Sequence, residues 1–305
     1  MRKESLGKNI RLNYVLYLFV LPGLLAVLFF SYAPMFGLVI AFTDYTPIRG
    51  FANANFVGLR FFEQAISDRF FRAAVVNTFI IKIGQTLVTL PFSILFALLL
   101  FELGKIGRRV FQTVSMFPYF VSWVVVAAMM RVILNPTTGI VNQLLVHVFG
   151  FAQPVTFLSD PNIFRFLVIF QDAWKMGGYW ALIYLSAITA VDPSLFEVAT
   201  IDGAGRWRQM WNVTLPSIRP TILTMLILLM GFLVLGPFDQ IFTQYSPAVY
   251  STGDIIETFT FRMGISNNRY GFATATGLMQ GIVATLLVLT TNFITKKIKA
   301  DERLI

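Results

Sequence analysis

Asp172 and Lys175 stand three residues apart inside a long apolar run, with Gln171 just before them and Trp174 between them. On a helix, neighbours three and four apart share a face, so Asp172 and Gln171 each lie on the same side as Lys175. Asp239-Gln240 sits in a second apolar run, and Lys82, Arg131 and Arg165 are embedded in others. A charge in hydrocarbon is costly and faces a protein interior or a water-filled cavity. Polar groups beside an aromatic ring suit a hydroxylated solute, because the ring offers an apolar face while the polar groups fix orientation. Gln171, Asp172, Trp174, Lys175, Asp239 and Gln240 are therefore a candidate solute path. A second reading fits the same residues: buried ions are generally paired, so Asp172 and Lys175 would hold the fold by pairing with each other or across subunits. An excess of embedded cations would favour an acidic solute. Gly177-Gly178, which follows, would permit a kink.

Bond-making chemistry has no comparable set. The chain has no cysteine, hence no disulfide, thiolate zinc site or thiol nucleophile. Its one histidine, His147, cannot build a multi-histidine metal site and is read as structural. No G-x-x-x-x-G-K-[ST], H-E-x-x-H or G-x-S-x-G pattern occurs. Energy for moving a solute would come from a partner or from an ion gradient.

The elements that position these residues follow from composition. The chain is 56% hydrophobic and 13% charged, with a mean hydropathy of +0.71; a soluble chain carries about 25% charged residues. Six apolar runs reach the length of about 20 residues that a membrane-spanning helix needs: 12–42, 73–101, 111–134, 163–190, 221–243 and 273–295. They are continuous rather than alternating, which predicts helices and not barrel strands. The first is too long for a signal-peptide core, so it reads as a retained span. The side holding both termini and the loops after spans two and four carries fourteen Lys and Arg (Arg2, Lys3, Lys8, Arg11, Lys105, Arg108, Arg109, Arg206, Arg208, Arg219, Lys296, Lys297, Lys299, Arg303), against six on the other. The positive side is the cytoplasmic one, so both termini are expected there. The net charge of +9 then reflects orientation, not a nucleic-acid partner. An amphipathic stretch near Val141–Phe149 predicts a short helix at the outer surface. The expectation is one all-α membrane domain over 1–305.

Residues 191–220 are the most informative loop. Asp192-Pro193 reads as an N-cap and first helical residue, Ser194–Ile201 as about two turns, and Gly203 as a left-handed terminator. Ala204-Gly205 opens a second segment, Arg206–Val213, expected to stop at Leu215-Pro216 because the residue before proline is pushed out of the helical region. Small residues (Ala199, Gly203, Ala204, Gly205) stand beside large ones (Phe196, Trp207, Met210, Trp211), rimmed by Glu197, Asp202, Arg206 and Arg208. Such a mixture suits docking into a partner's groove; the aromatics would equally suit the lipid headgroup level.

Glu197-Val198-Ala199, then Gly203, then Val213-Thr214-Leu215-Pro216 resembles the EAA motif of ABC-importer permeases, departing only at Val198 and Val213, where alanine and isoleucine are usual. The resemblance runs over nearly the whole chain. Leu21-Pro22-Gly23, Asn77-Thr78, Met116–Trp123, Tyr184–Asp192 and Phe238–Phe242 are similar to the polysaccharide or aldouronate branch of carbohydrate permeases. It implies a type I ABC-importer permease of six transmembrane helices in a bacterial cytoplasmic membrane. The loop would be a cytoplasmic coupling helix, with Glu197, Ala199, Asp202, Gly203, Ala204, Leu215 and Pro216 as its coupling residues. The implied partners are a second permease subunit, two ATPase subunits binding ATP and Mg, an external solute-binding protein and an oligosaccharide, with no cofactor on this chain. An ion-coupled secondary transporter is the alternative; it would predict dense mid-depth acids and inverted repeats.

Overall fold

The structure is a computed structural model that describes residues 13–231 and 233–301, with side chains described outside 230–231 and 294–301. The basic residues Arg2, Lys3, Lys8, Arg11 and Arg303 lie outside the described residues, and of Lys296, Lys297 and Lys299 only the backbone is described. Apart from one isolated bridge between Thr43 and Phe56, the described chain is helix and connecting turn.

The first apolar run forms α1 (Tyr14–Val27), continuing through a widened turn (Leu28–Tyr32) and a tightened one (Ala33–Phe42). After a structured loop come α2 (Arg60–Ser67) and α3 (Arg69–Glu102). Asp68 caps α3, its carboxylate accepting from the Phe70 and Phe71 N–H groups at 2.7 and 3.2 Å. Then follow α4 (Lys105–Phe120), α5 (Trp123–Ile133), α6 (Ile140–His147) and α7 (Pro161–Thr189). A helix is present where one is expected near 141–149, namely α6, fastened by Asn142, which donates to the Leu134, Asn135 and Val155 carbonyls. The 191–220 loop holds α8 (Pro193–Ile201) and α9 (Arg206–Gln209) and leads into α10 (Leu215–Gly231). Short α11 (Phe238–Phe242), α12 (Tyr250–Gly253) and α13 (Ile256–Phe261) precede the last long helix, α14 (Tyr270–Asp301).

Among the described residues, four helices are long and apolar enough to cross a membrane, and up to six spans result if each of two bent pairs is taken as one. Two expected boundaries are corrected. The run 111–134 is not one helix: α4 and α5 meet at 96°. Val121 and Ser122 are extended there, and Ser122 recaps the chain by accepting from the Val125 N–H. Helix also does not stop at Leu215-Pro216. A widened turn, Met210–Thr214, shifts the backbone register just ahead of Pro216, and the helix runs on to Gly231. The fifth apolar helix therefore starts earlier than expected and covers Arg206–Leu229, not 221–243, and α11 is a separate short helix beyond it.

α3 and α7 form the centre. Gly177 and Gly178 do not interrupt α7, which is continuous. They let neighbours close in: a Cβ on Gly178 would strike the Ser115 carbonyl of α4, and one on Gly177 would lie 2.5 Å from the Phe92 ring of α3. Around this pair, the 191–220 end is filled by Leu98, Tyr184, Ile188, Met210 and Ile218. The opposite end is filled by Phe71, Ile256, Phe259 and Phe272. The segment between α10 and α14 folds back into the bundle. Asn77 of α3 donates to the Ser251 and Asp254 carbonyls at 3.2 and 3.0 Å, and Arg165 of α7 donates to Asn77 Oδ1 at 2.7 Å. The break after α10 is closed by Glu257, whose Oε1 accepts from the Gly236 N–H at 2.5 Å and from Gln280 at 2.6 Å.

Candidate functional site

The embedded residues of α7 separate into three environments. Lys175 is buried, and its ammonium donates to the carbonyls of Pro118, Tyr119 and Val121 at 3.0, 2.8 and 2.5 Å. These lie where α4 ends inside the span. A helix end leaves its last carbonyls without partners, and hydrocarbon offers no water to replace them. Three N–H donors on one cation meet three acceptors, at the negative end of the helix dipole. Tyr119 and Trp123 add ring faces 5.8 and 5.4 Å from Nζ. Lys175 therefore closes the α4–α5 elbow; its donors are spent on protein carbonyls rather than on a solute.

Asp172 does not form an ion pair with Lys175. Its Oδ2 accepts from Thr89 Oγ1 of α3 at 2.8 Å. Trp174 is 42% exposed and opens onto an aromatic cleft of about 580 Å³ with Phe92, Phe96, Phe117 and Met129. Asp239 is exposed at the start of α11, and Arg131 of α5 donates to the Thr243 carbonyl just beyond it.

Gln171 and Gln240 belong to a buried amide cluster that charge-based reading of the spans misses. Gln85 of α3 donates to Gln240 Oε1 at 2.9 Å; Gln240 donates to the Val168 carbonyl at 2.8 Å and to Gln171 Oε1 at 3.2 Å. Gln171 and Gln244 exchange hydrogen bonds at 2.9 and 3.0 Å. All four residues are buried, and Gln85 Oε1 lacks a protein partner. The signal was present in the sequence as uncharged glutamines inside apolar runs. Of the six candidate path residues, Trp174 and Asp239 thus present surface, while Gln171, Asp172, Lys175 and Gln240 are engaged with protein groups.

At the loop, the residues come together as their spacing predicts. Asp192 caps α8, accepting from the Ser194 N–H at 2.9 Å, with Pro193 in the first turn. That backbone hydrogen bond holds the Asp192 carboxyl below the usual carboxylate range. α8 ends with Gly203 at φ +75°. The Ala204 N–H donates to the Ala199 carbonyl at 2.9 Å, and the Gly203 N–H to the Thr200 carbonyl at 3.0 Å, the paired closure of a helix on a left-handed residue. Gln209 of α9 then reaches back to Thr200 Oγ1 and the Ala204 carbonyl, both at 3.0 Å. Arg206 pairs with Glu102 of α3 at 3.1 Å, and Phe196 packs on Phe101, centroids 5.9 Å apart. Leu195, Val198 and Ile201 are left bare on α8, Ile201 at 85% exposure. Glu197 and Asp202 are exposed beside them, and Leu215-Pro216 begins α10.

Residues 89–300, which contain this loop, match the family model described as binding-protein-dependent transport system inner membrane component. The chain belongs to that family. The permease is 38% identical to protein LplB of Bacillus subtilis, over 92% of this chain and 88% of that one. It is 37% identical to the B. subtilis polygalacturonan/rhamnogalacturonan transport system permease protein YteP, over 97% and 92%. Among solved structures, it superimposes on a chain of a bacterial ABC transporter involved in import of the acidic polysaccharide alginate. The TM-score is 0.88 at 35% identity, covering 97% of this chain and 99% of that one. A second structure, with a TM-score of 0.87 at 35% identity, covers 97% and 98% and is the alginate transporter in complex with an alginate pentasaccharide-bound periplasmic protein. The permease is therefore a membrane-embedded, all-α protein with the type I ABC-importer architecture. Among the described residues, no group of three or more His, Cys, Asp or Glu could hold a metal ion.

Proposed function

We propose that this permease is one of two transmembrane subunits of an ATP-driven importer in a bacterial cytoplasmic membrane, with both termini and the 191–220 loop in the cytoplasm. It would translocate an oligosaccharide, of acidic type, handed over by an external binding protein. α8 seats in a cleft of an ATPase subunit that binds ATP and Mg; this chain supplies no nucleotide site and no cofactor. The observation that carries the reading is the closed α8–α9 unit. Ala199, Gly203 and Ala204 fix its shape, and Leu195, Val198 and Ile201 leave a bare apolar face rimmed by Glu197 and Asp202. The acidic solute is supported by the relatives that handle polygalacturonan, rhamnogalacturonan and alginate. Lys175 is not the residue that selects it; Trp174 and Asp239 are the path residues with surface to offer.

The chain has no native cysteine, so single cysteines at Ala199 or Ala204 report cleanly. Crosslinking in the working importer is expected to capture the ATPase subunit, and failure to capture it in an uptake-competent complex sinks the coupling assignment. A reporter after Ile305 is expected in the cytoplasm. Uptake of neutral oligosaccharides with no uptake of oligogalacturonate would overturn the acidic solute. An ion-coupled mechanism would instead keep uptake alive after loss of the ATPase.

A further inference from the structure

Away from the bare face of α8, a groove of about 250 Å³ runs between α3 and α9–α10. Leu90, Leu95 and Leu98 form one wall, and Trp207, Trp211 and Leu215 the other. Its apolar stretch from Leu90 to Leu98 is about 12 Å long at about 1.5 Å per helical residue, close to one leaflet of a hydrocarbon core of about 30 Å. Trp207 and Trp211 are one turn apart and each 67% exposed. Indoles combine an apolar body with an N–H that needs an acceptor, which suits the boundary between chains and headgroups.

Between the two wall residues Trp207 and Trp211 the chain carries a cation, Arg208. Arg206 is taken up by Glu102, and Arg108 by the Leu100 and Phe101 carbonyls. Arg208, Lys105 and Arg109 are exposed and make no ion pair among the described residues. Trp211 is the i+3 neighbour of Arg208, so the guanidinium stands beside that indole on the helix surface.

We propose that this groove holds one anionic phospholipid of the cytoplasmic leaflet, an acyl chain lying along α3 against the two indoles and the phosphate facing Arg208. The leaflet assignment rests on the orientation proposed above; the binding itself does not. Because α9 is bonded to α8 through Gln209, headgroup occupancy bears directly on the element that meets the ATPase.

The test uses the intact importer in nanodiscs of phosphatidylcholine doped with phosphatidylglycerol carrying brominated acyl chains. Indole quenching at the groove is taken as the difference between the parent and the Trp207→Phe/Trp211→Phe variant. Half-maximal quenching is expected at a brominated phosphatidylglycerol fraction about fivefold lower than for brominated phosphatidylcholine, roughly the factor one surface cation contributes toward anionic lipid. Arg208→Gln is expected to remove that difference while leaving quenching itself. Equal quenching by both lipids in proportion to their mole fraction overturns the proposal, as does absence of quenching, which would mean a protein subunit covers the groove. Nanodiscs present both leaflets, so a reversed topology would leave this result unchanged and would show only in the terminal reporter.

Discussion

The Lys175 ammonium lies 2.5 Å from the Val121 carbonyl, at the point where the third span turns through 96°. Lysine thus does here what a glycine or asparagine cap does at a water-exposed helix end. Lys175→Met leaves the Tyr119 and Val121 carbonyls without a donor, while the Pro118 carbonyl keeps the Val121 N–H at 3.2 Å. At about 1–3 kcal/mol for each buried group left unpaired, the loss is expected to reach about 3 kcal/mol or more. Thermal melting of the purified permease in detergent should show it as a large drop in midpoint. A variant that melts like the parent but loses uptake would instead make Lys175 a solute contact.

Gly203 carries a different strain. At φ +75° a β-branched side chain is forced into a region that it rarely adopts, at a cost of about 1–3 kcal/mol. Gly203→Val is expected to loosen α8 and to lower both ATPase copurification and uptake. Gly203→Asn is expected to retain them, since asparagine tolerates the left-handed conformation. Loss of coupling in both variants alike would point to the absence of a side chain, not the backbone angle, as the requirement.

These two residues mark where sequence reading succeeds and where it stops. Gly203 was legible because helix termination is local: a cap at Asp192, about two turns, and a glycine. The apolar runs were legible for a similar reason, since bilayer thickness sets one length for each span. The α4–α5 elbow was not, because Val121-Ser122 breaks the helix without breaking hydrophobicity, and its stabilising cation arrives from a residue 54 positions later. The continuation through Leu215-Pro216 escaped because a widened turn absorbs the proline. The glutamine cluster escaped because its members come from three separate stretches and carry no charge.

At the start of α8, the sign of a pH effect follows from Asp192. Hydrogen bonding to the Ser194 N–H depresses its folded-state carboxyl. Its contribution is therefore complete above the ordinary carboxylate pKa of about 3.9, and is lost as pH falls through the lower folded value. Amide exchange at Ser194 and Leu195 should accordingly show no loss of protection between pH 7 and about 5, a window lying above both values. Asp192→Ala should raise exchange there throughout that window, while Asp192→Asn, still a good cap, should largely restore protection. A loss of protection in the parent centred near pH 6 would mean that some other group governs this helix start.

Gln85 and Gln240 share one hydrogen bond of 2.9 Å, yet removing either should not cost the same. Gln240 serves Gln85, Gln171 and the Val168 carbonyl at once, so Gln240→Leu strands the Gln85 amide group and removes two of the hydrogen bonds between α11 and α7. A loss of about 2 kcal/mol or more is expected. Gln85→Leu leaves Gln240 Oε1 without its donor but also deletes the one acceptor of the cluster that has no protein partner, so its cost should stay below that of Gln240→Leu, at about 1 kcal/mol. Melting midpoints of the two variants, measured in the same detergent, give the order directly. Equal losses would mean that Gln85 Oε1 is satisfied in the membrane by a water, and the cluster would then be a hydrated site and not a dry lock between α3, α7 and α11.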